Sequence, residues 1–329
     1  MNYDVIIVGA SFAGLAVATR IRGRVLVIDA KPLGSEQTSA CATLVKSVES
    51  LGAQEAILQV HPYWVLHLRG HARTYPLVYP FCTVSYEKLC QILFHRSSSE
   101  FLLAKVQGLR DGKVLTTEGE FVAPFIVDAS GWRAVLASSC QPGFVRRQDL
   151  VVGIETEVPF ADSGLHFWLF PRYPGYFWHF PCDGMTRFGV ITYRPRRNLK
   201  GDLATFMNEQ FGLALGSIHG GQLPTRLRRP VIGHLFVVGD AAGHCLGLTG
   251  EGIRLAFRFG QILGDLIQLC LDGAISQETA LREYEEQVKR HQRTFQVMTF
   301  LQKAFPYLPL SLVDWIAGVF EGGQHDTAT

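Results

Sequence analysis

The sequence predicts an α/β fold in which a dinucleotide-binding βαβ unit is interrupted by an antiparallel sheet, and three features carry that expectation. The apolar tetrad Val5-Ile6-Ile7-Val8 runs into a glycine-spaced turn. A second apolar run, Val25-Leu26-Val27-Ile28, closes the unit within about 30 residues. Residues 150–195 then alternate apolar and polar side chains between turn signals such as Pro174-Gly175 and Asp183-Gly184.

The elements follow in order. The first tetrad is apolar at every position, as expected of a parallel strand buried on both faces, and Phe12 to Ile21 follows with helical spacing. Phe125-Ile126-Val127-Asp128 and Leu235-Phe236-Val237-Val238 read as two more such strands, each ending at a glycine-containing turn. From Gly252 onward Ile253, Ala256, Phe257, Gly260, Leu263 and Ile267 mark one face of a helix, and the charged helix Glu278 to Arg293 comes next. The last segment, Phe305 to Phe320, is an apolar tail broken by Pro306 and Pro309. It reads as a membrane-interface segment, a cap over a substrate tunnel, or plain packing on the second domain.

With 329 residues, 31 Lys plus Arg against 29 Asp plus Glu and a net charge of +2, the chain has the size for roughly two domains and no field that would gather nucleic acid. Its seven cysteines, at 41, 82, 90, 140, 182, 245 and 270, form no CxxC pair and no His-linked cluster. Neither a metal site nor a disulfide framework is expected, and reduced thiols fit a cytoplasmic protein. The chain enters its first strand without a basic leader, and no apolar run approaches the roughly 18 residues of a membrane span, so cytoplasmic residence is expected, with peripheral contact at the inner face of the membrane as the alternative.

Chemistry concentrates in three short segments. Gly9-Ala10-Ser11-Phe12-Ala13-Gly14 is a dinucleotide fingerprint with Ser11 at its middle glycine, and Asp29 follows 20 residues after Gly9, where a carboxylate meets an adenosine ribose, with Ala30 and Lys31 beside it. Gly239-Asp240-Ala241-Ala242-Gly243 sets a carboxylate just past a buried strand, where it needs hydrogen-bond donors such as a ribityl hydroxyl. Leu248-Thr249-Gly250-Glu251-Gly252-Ile253 opens a long helix whose positive end suits the electron-rich edge of a reduced isoalloxazine. Together they point to FAD.

These segments resemble the geranylgeranyl reductase family, within the larger para-hydroxybenzoate-hydroxylase-like flavoprotein group. Pro174-Gly175-Tyr176-Phe177-Trp178-His179-Phe180-Pro181 is similar to the aromatic Tyr-x-Trp-x-Phe-Pro element that lines the family's substrate cavity. The resemblance implies a single Rossmann-type FAD-binding domain with an inserted antiparallel sheet domain and a helical C-terminal tail. The FAD-binding domain is expected over 1–60, 85–150 and 225–290, the substrate-binding sheet domain over 61–84 and 151–224, and the tail over 291–329. Expected cofactor contacts are Gly9, Ser11, Phe12, Ala13, Gly14, Asp29, Ala30, Lys31, Cys41, Ala42, Asp128, Gly131, Gly239, Asp240, Gly250, Glu251, Gly252 and Ile253.

The reaction that the resemblance implies is hydride transfer from reduced flavin to an isolated isoprenoid C=C bond. Cys41, Tyr176 and Trp178 are the catalytic candidates, and Phe167, Phe177, Phe180 and His179 the residues expected to line the substrate. Cys41 reads either as a proton donor or flavin-tuning group, or as a small buried hydrophobe. Partners are an apolar or lipid substrate and an electron donor: NADPH, ferredoxin or quinol. The sequence departs from the group's pattern at Ala129, where glycine usually follows the aspartate, and at Gly247, where proline is common. A flavin monooxygenase or halogenase, and a non-catalytic FAD-binding redox sensor, are the alternative readings.

Overall fold

The computed structural model describes residues 3–68, 70–170, 173–194, 198–309 and 311–312, and its contacts divide the chain into two compact units. The first comprises Met1–Glu36, Tyr86–Leu150 and Leu223–Thr299. Its six-stranded sheet runs in the order Val231–Ile232, Leu235–Val237, Phe125–Asp128, Val5–Val8, Val25–Asp29, Ser99–Leu103. Five of these strands are parallel, with Val231–Ile232 as the antiparallel edge.

The all-apolar runs read from the sequence are the central strands, buried along their whole length because helices cover the sheet. Helix Phe12–Ala18 packs closely on helix Ile253–Leu271. A Cβ at Gly260 would lie 2.8 Å from the Ala16 Cβ, and one at Gly264 would lie 2.6 Å from the Val17 carbonyl oxygen. Beside this sheet stands a three-stranded meander, Val106–Arg110, Lys113–Thr116 and Gly119–Val122.

The second unit comprises Gln37–Ser85, Val151–Gln222 and Phe300–Thr329. Its eight-stranded sheet runs Ile218–Pro224, Leu150–Pro159, Met185–Thr192, Gly175–Cys182, Leu165–Leu169, Ile57–Leu68, His71–Val84, Ala42–Leu44. Antiparallel pairing dominates, and Leu165–Leu169 lies parallel to Ile57–Leu68. Residues 37–60, expected in the nucleotide-binding domain, cluster here instead, because Ala42–Leu44 pairs with Phe81–Thr83 and Ile57–Leu68 joins the sheet.

Helix Leu199–Phe211 covers one face of that sheet. The Asn198 side chain caps its start by accepting from the Gly201 amide at 2.9 Å, and Gly212 ends it in the left-handed conformation. Leu203, Phe206 and Met207 bury against Phe177, Phe188 and Val190. Toward the C-terminus, helix Gln292–Ala304 is followed by a 3-10 turn at Phe305–Tyr307, and most of the expected apolar tail lies outside the described residues. No helix of the described residues is long and apolar enough to cross a membrane.

Candidate functional site

The fingerprint turn folds as its glycines require. Gly9 sits at φ +115°, and a Cβ there would lie 2.2 Å from the Ala129 carbonyl oxygen, so the turn is seated against the residue that follows Asp128. A Cβ at Gly14 would lie 2.0 Å from the Gly9 carbonyl oxygen. Within helix Phe12–Ala18 the first amide to find a backbone carbonyl is that of Leu15, which donates to Ser11 at 2.9 Å, so the amides before it face outward as anion donors. Ser11 caps nothing with its side chain. Its Oγ instead accepts from the Tyr86 hydroxyl at 3.2 Å.

Asp29 braces this turn with its carboxylate, and Asp128 braces the neighbouring turn after its own strand. Asp29 Oδ2 accepts from the Ala10 amide at 2.7 Å and Oδ1 from the Lys31 amide at 3.0 Å, so the expected ribose acceptor also ties the fingerprint to the end of its second strand. Asp128 is fully buried. It accepts from the Ser130 amide and hydroxyl at 3.1 and 2.6 Å and from the Ala137 amide at 2.8 Å, while burial pushes its pKa up. Asp128 therefore shapes the turn leading to Gly131, which has φ +72°.

Asp240 contrasts with both. Burial raises its pKa to about 6, against the pull of nearby Arg228, and among the described residues no donor reaches its carboxylate. It follows Gly239, at φ +66°, whose Cβ position lies 2.6 Å from the Ala13 Cβ, so the Asp240 turn abuts the fingerprint helix. Gly252 lies 3.5 Å from Asp240 Oδ1 by the same measure. Gly250, at φ +69°, donates to Leu246 at 2.8 Å, and Glu251 folds back on Arg254 at 3.1 Å, shaping the entry to helix Ile253–Leu271. Gly9, Asp29, Asp128, Asp240 and Gly252 thus come together in one unit, with one carboxylate lacking a donor. These residues fit an FAD molecule.

Cys41 and Ala42 belong to the second unit. Cys41 is fully buried at φ +52°, an uncommon conformation for a residue with a Cβ, and its carbonyl accepts from the Val84 amide at 2.9 Å. Arg187 holds this bend: its Nε donates to Glu157 at 2.8 Å and its Nη1 to the carbonyls of Ala40 and Val84 at 3.2 and 3.1 Å. No local pattern marks Arg187, whose partners lie far away in the sequence.

The aromatic strand Gly175–Cys182 is buried on both sides, and its faces differ. Tyr176, Trp178 and Phe180 neighbour one another at 6.0 and 6.1 Å, with Phe167 at 5.8 Å from Tyr176 and 5.3 Å from Phe180. Phe177 and His179 point the other way, 4.6 Å from Phe206 and 5.2 Å from Phe211 on the covering helix. Both were expected to line a substrate cavity, but the period-2 alternation of the strand turns them into the helix-covered core.

Two buried polar chains escaped the sequence reading. The Trp178 indole donates to Glu155 Oε2 at 2.9 Å, and Glu155 Oε1 lies 3.0 Å from His219 Nε2, so a buried carboxylate fixes the Trp178 ring. On the core side, His179 Nε2 lies 3.0 Å from Asp162 Oδ2, holding that carboxyl below its usual range, while burial lowers His179 to about 4. His166 stacks on His179 at 3.9 Å and reaches His67 Nε2 at 2.9 Å. Asp162, His166 and His179 are close enough to hold a metal ion. However, the indole of Trp168 approaches His179 Nδ1 at 3.4 Å, which leaves the proton on Nε2, directed at Asp162, so the cluster reads as a hydrogen-bonded structural group.

No family model matches the chain. Among curated proteins it is 25% identical to digeranylgeranylglycerophospholipid reductase 2 of Methanothermobacter thermautotrophicus, over 87% of this chain and 83% of that protein. It is 26% identical to the chloroplastic geranylgeranyl diphosphate reductase of Arabidopsis thaliana, over 55% of this chain and 42% of that protein. Among solved structures, a geranylgeranyl bacteriochlorophyll reductase-like protein of Thermoplasma acidophilum superposes with a TM-score of 0.84 at 18% identity, covering 95% of this chain and 90% of that one. PqsL of Pseudomonas aeruginosa, a probable FAD-dependent monooxygenase, gives a TM-score of 0.75 at 16% identity over 93% of this chain and 97% of that one. The sequence similarity to these reductases and the likeness in fold point the same way: the chain is similar to geranylgeranyl reductases over most of its length and shares the fold of FAD-dependent enzymes.

Proposed function

We propose that the chain binds FAD and reduces isolated C=C bonds of an isoprenoid of the geranylgeranyl type. The observation that carries this reading is the set of glycine turns and the donorless Asp240 carboxylate in a chain similar to two prenyl reductases. Reduced FAD, when bound, supplies the hydride. A proton delivered to the neighbouring carbon would complete the saturated bond.

The rest of the work falls to the chain. The outward amides at Phe12–Gly14 hold the pyrophosphate, and Asp29 receives the ribose with lone pairs left over from its bonds to Ala10 and Lys31. Asp240 accepts from a ribityl hydroxyl, and the positive end of helix Ile253–Leu271 favours negative charge on the reduced ring. Tyr176, Trp178, Phe180 and Phe167 offer the prenyl chain an aromatic apolar face, with Trp178 held in orientation by Glu155. Cys41, Tyr176 and Trp178 are the side chains assigned to the reacting end. Electrons reach the flavin from NADPH, ferredoxin or a quinol.

The test is incubation of the dithionite-reduced, FAD-loaded protein with a geranylgeranyl lipid under anaerobic conditions, with the extracted lipid analysed by mass. A gain of two hydrogens per reduced bond supports the reading. Unchanged lipid alongside a fully reducible flavin overturns it.

A further inference from the structure

Within the first unit, beside the Gly239–Gly243 turn, Gln141, Gly143, Phe144, Arg146, Asp149 and the segment 226–229 line an open cleft of about 300 Å³. Arg146, Arg226, Arg228 and Arg229 are among its lining residues, four cationic side chains against the single acidic residue Asp149. Among the described residues the one ion pair within this set is Arg226 with Asp149, at 3.8 Å. Like charges gathered this way repel one another unless an anion joins them, and guanidinium forks match phosphoryl oxygens in shape and charge.

The walls are braced for such a role. The Thr225 amide and hydroxyl both donate to the Asp149 carbonyl, at 2.9 and 3.1 Å, tying one wall to the other. Arg228 Nη1 is clipped to the carbonyls of Trp132, Asp240 and Ala241 at 3.0 to 3.2 Å, whereas its buried Nη2 has no partner among the described residues. A buried donor left unpaired carries a desolvation cost that a bound anion would remove. Arg228 also joins the cleft to the Asp240 turn, so occupancy there bears directly on the proposed flavin site.

We propose that this cleft binds the phosphoryl groups of a small reaction ligand, supplied either by a nicotinamide dinucleotide phosphate that reduces the flavin or by the phosphorylated end of the prenyl substrate. The proposal rests on the reductase reading above. The volume lies at the lower end for small-molecule sites and suits a phosphorylated group better than a protein surface.

The probe is inorganic pyrophosphate, titrated by calorimetry into the FAD-loaded full chain. Saturable binding that weakens with added salt is expected. The Arg226→Glu/Arg229→Glu double variant, both side chains being exposed, should lose about tenfold or more in affinity with FAD content unchanged. Asp149→Asn should tighten binding instead, a gain that misfolding does not produce. Competition then separates the sources: pyrophosphate raises the KM either for NADPH in flavin reduction or for a prenyl diphosphate in flavin reoxidation. Absence of saturable binding to the wild type, equal affinity in the double variant, or competition with neither ligand overturns the proposal. Calorimetry needs no turnover, so its outcome is independent of whether the lipid is reduced.

Discussion

The two units build their candidate sites from different materials. The parallel-sheet unit works with backbone: Gly9, Gly14 and Gly239 clear space, and amides and a helix end supply the polarity. The antiparallel unit works with side chains: an aromatic face set by Tyr176, Trp178 and Phe180 and steadied by the buried carboxylate of Glu155, with Arg187 holding the bend at Cys41. A backbone site tolerates change wherever no Cβ or lone pair matters and fails abruptly where one does. A side-chain site loses function by degrees.

That contrast orders the expected effects. The largest is at Asp240, the carboxylate without a donor of its own. Asp240→Ala should lower bound FAD by about tenfold or more, read from the flavin-to-protein absorbance ratio, because the ribityl hydroxyl loses a charged acceptor. Full flavin retention would remove Asp240 from the site.

Gly9→Ala comes next. A Cβ at φ +115° and 2.2 Å from the Ala129 carbonyl forces the turn apart, and a loss of about 3 kcal/mol or more is expected in urea unfolding. A stable Gly9→Ala protein with normal flavin content would break the backbone half of the comparison.

In the side-chain unit, Glu155→Met should cost about 2 kcal/mol, since it strands the buried Trp178 indole, while Glu155→Gln, which still accepts that bond, should cost clearly less. Equal losses in the two variants would show that Glu155 acts through its charge and not as an acceptor.

The smallest effect is a slope with pH. Burial holds His61, His67 and His179 at about 4 and His244 at about 3 in the folded chain. The unfolded chain protonates its histidines near pH 6.5, so below that pH it takes up protons that the folded chain refuses, and folding stability falls toward pH 4. Asp240, raised to about 6, acts in the opposite sense over the upper part of the same window, because there the folded chain gains the proton first. Four histidines, together with Asp162 held below its usual range, stand against the two buried aspartates Asp240 and Asp128, whose pKa values are raised, and give a net loss of stability on acidification, measurable as a falling urea midpoint from pH 7 to pH 4. A flat or rising midpoint would contradict the burial assigned to these rings.

The same contrast explains what the sequence revealed. The turns proposed to hold the flavin were legible as turns because each is a short run in which glycine spacing and one carboxylate express a local backbone demand, as in Gly9 to Gly14 and Gly239 to Gly243. The aromatic face was half legible: alternation along Gly175–Cys182 correctly grouped Tyr176, Trp178 and Phe180, but which face the covering helix takes depends on residues 199–211, and this moved Phe177 and His179 into the core. Glu155, His219, Arg187 and the arginine cleft were illegible. Each depends on pairs tens of residues apart, such as Glu155 with His219 or Asp149 with Arg226, and no local period marks them.

The most direct test of the central claim is the visible spectrum of the photoreduced, FAD-loaded protein, followed anaerobically after addition of a geranylgeranyl lipid and, in a separate cell, after admission of air. Return of the oxidised flavin band with the lipid and no oxygen is the expected result. Reoxidation by air alone, with the lipid inert, would contradict the account and assign the aromatic face to oxygen chemistry on an aromatic substrate.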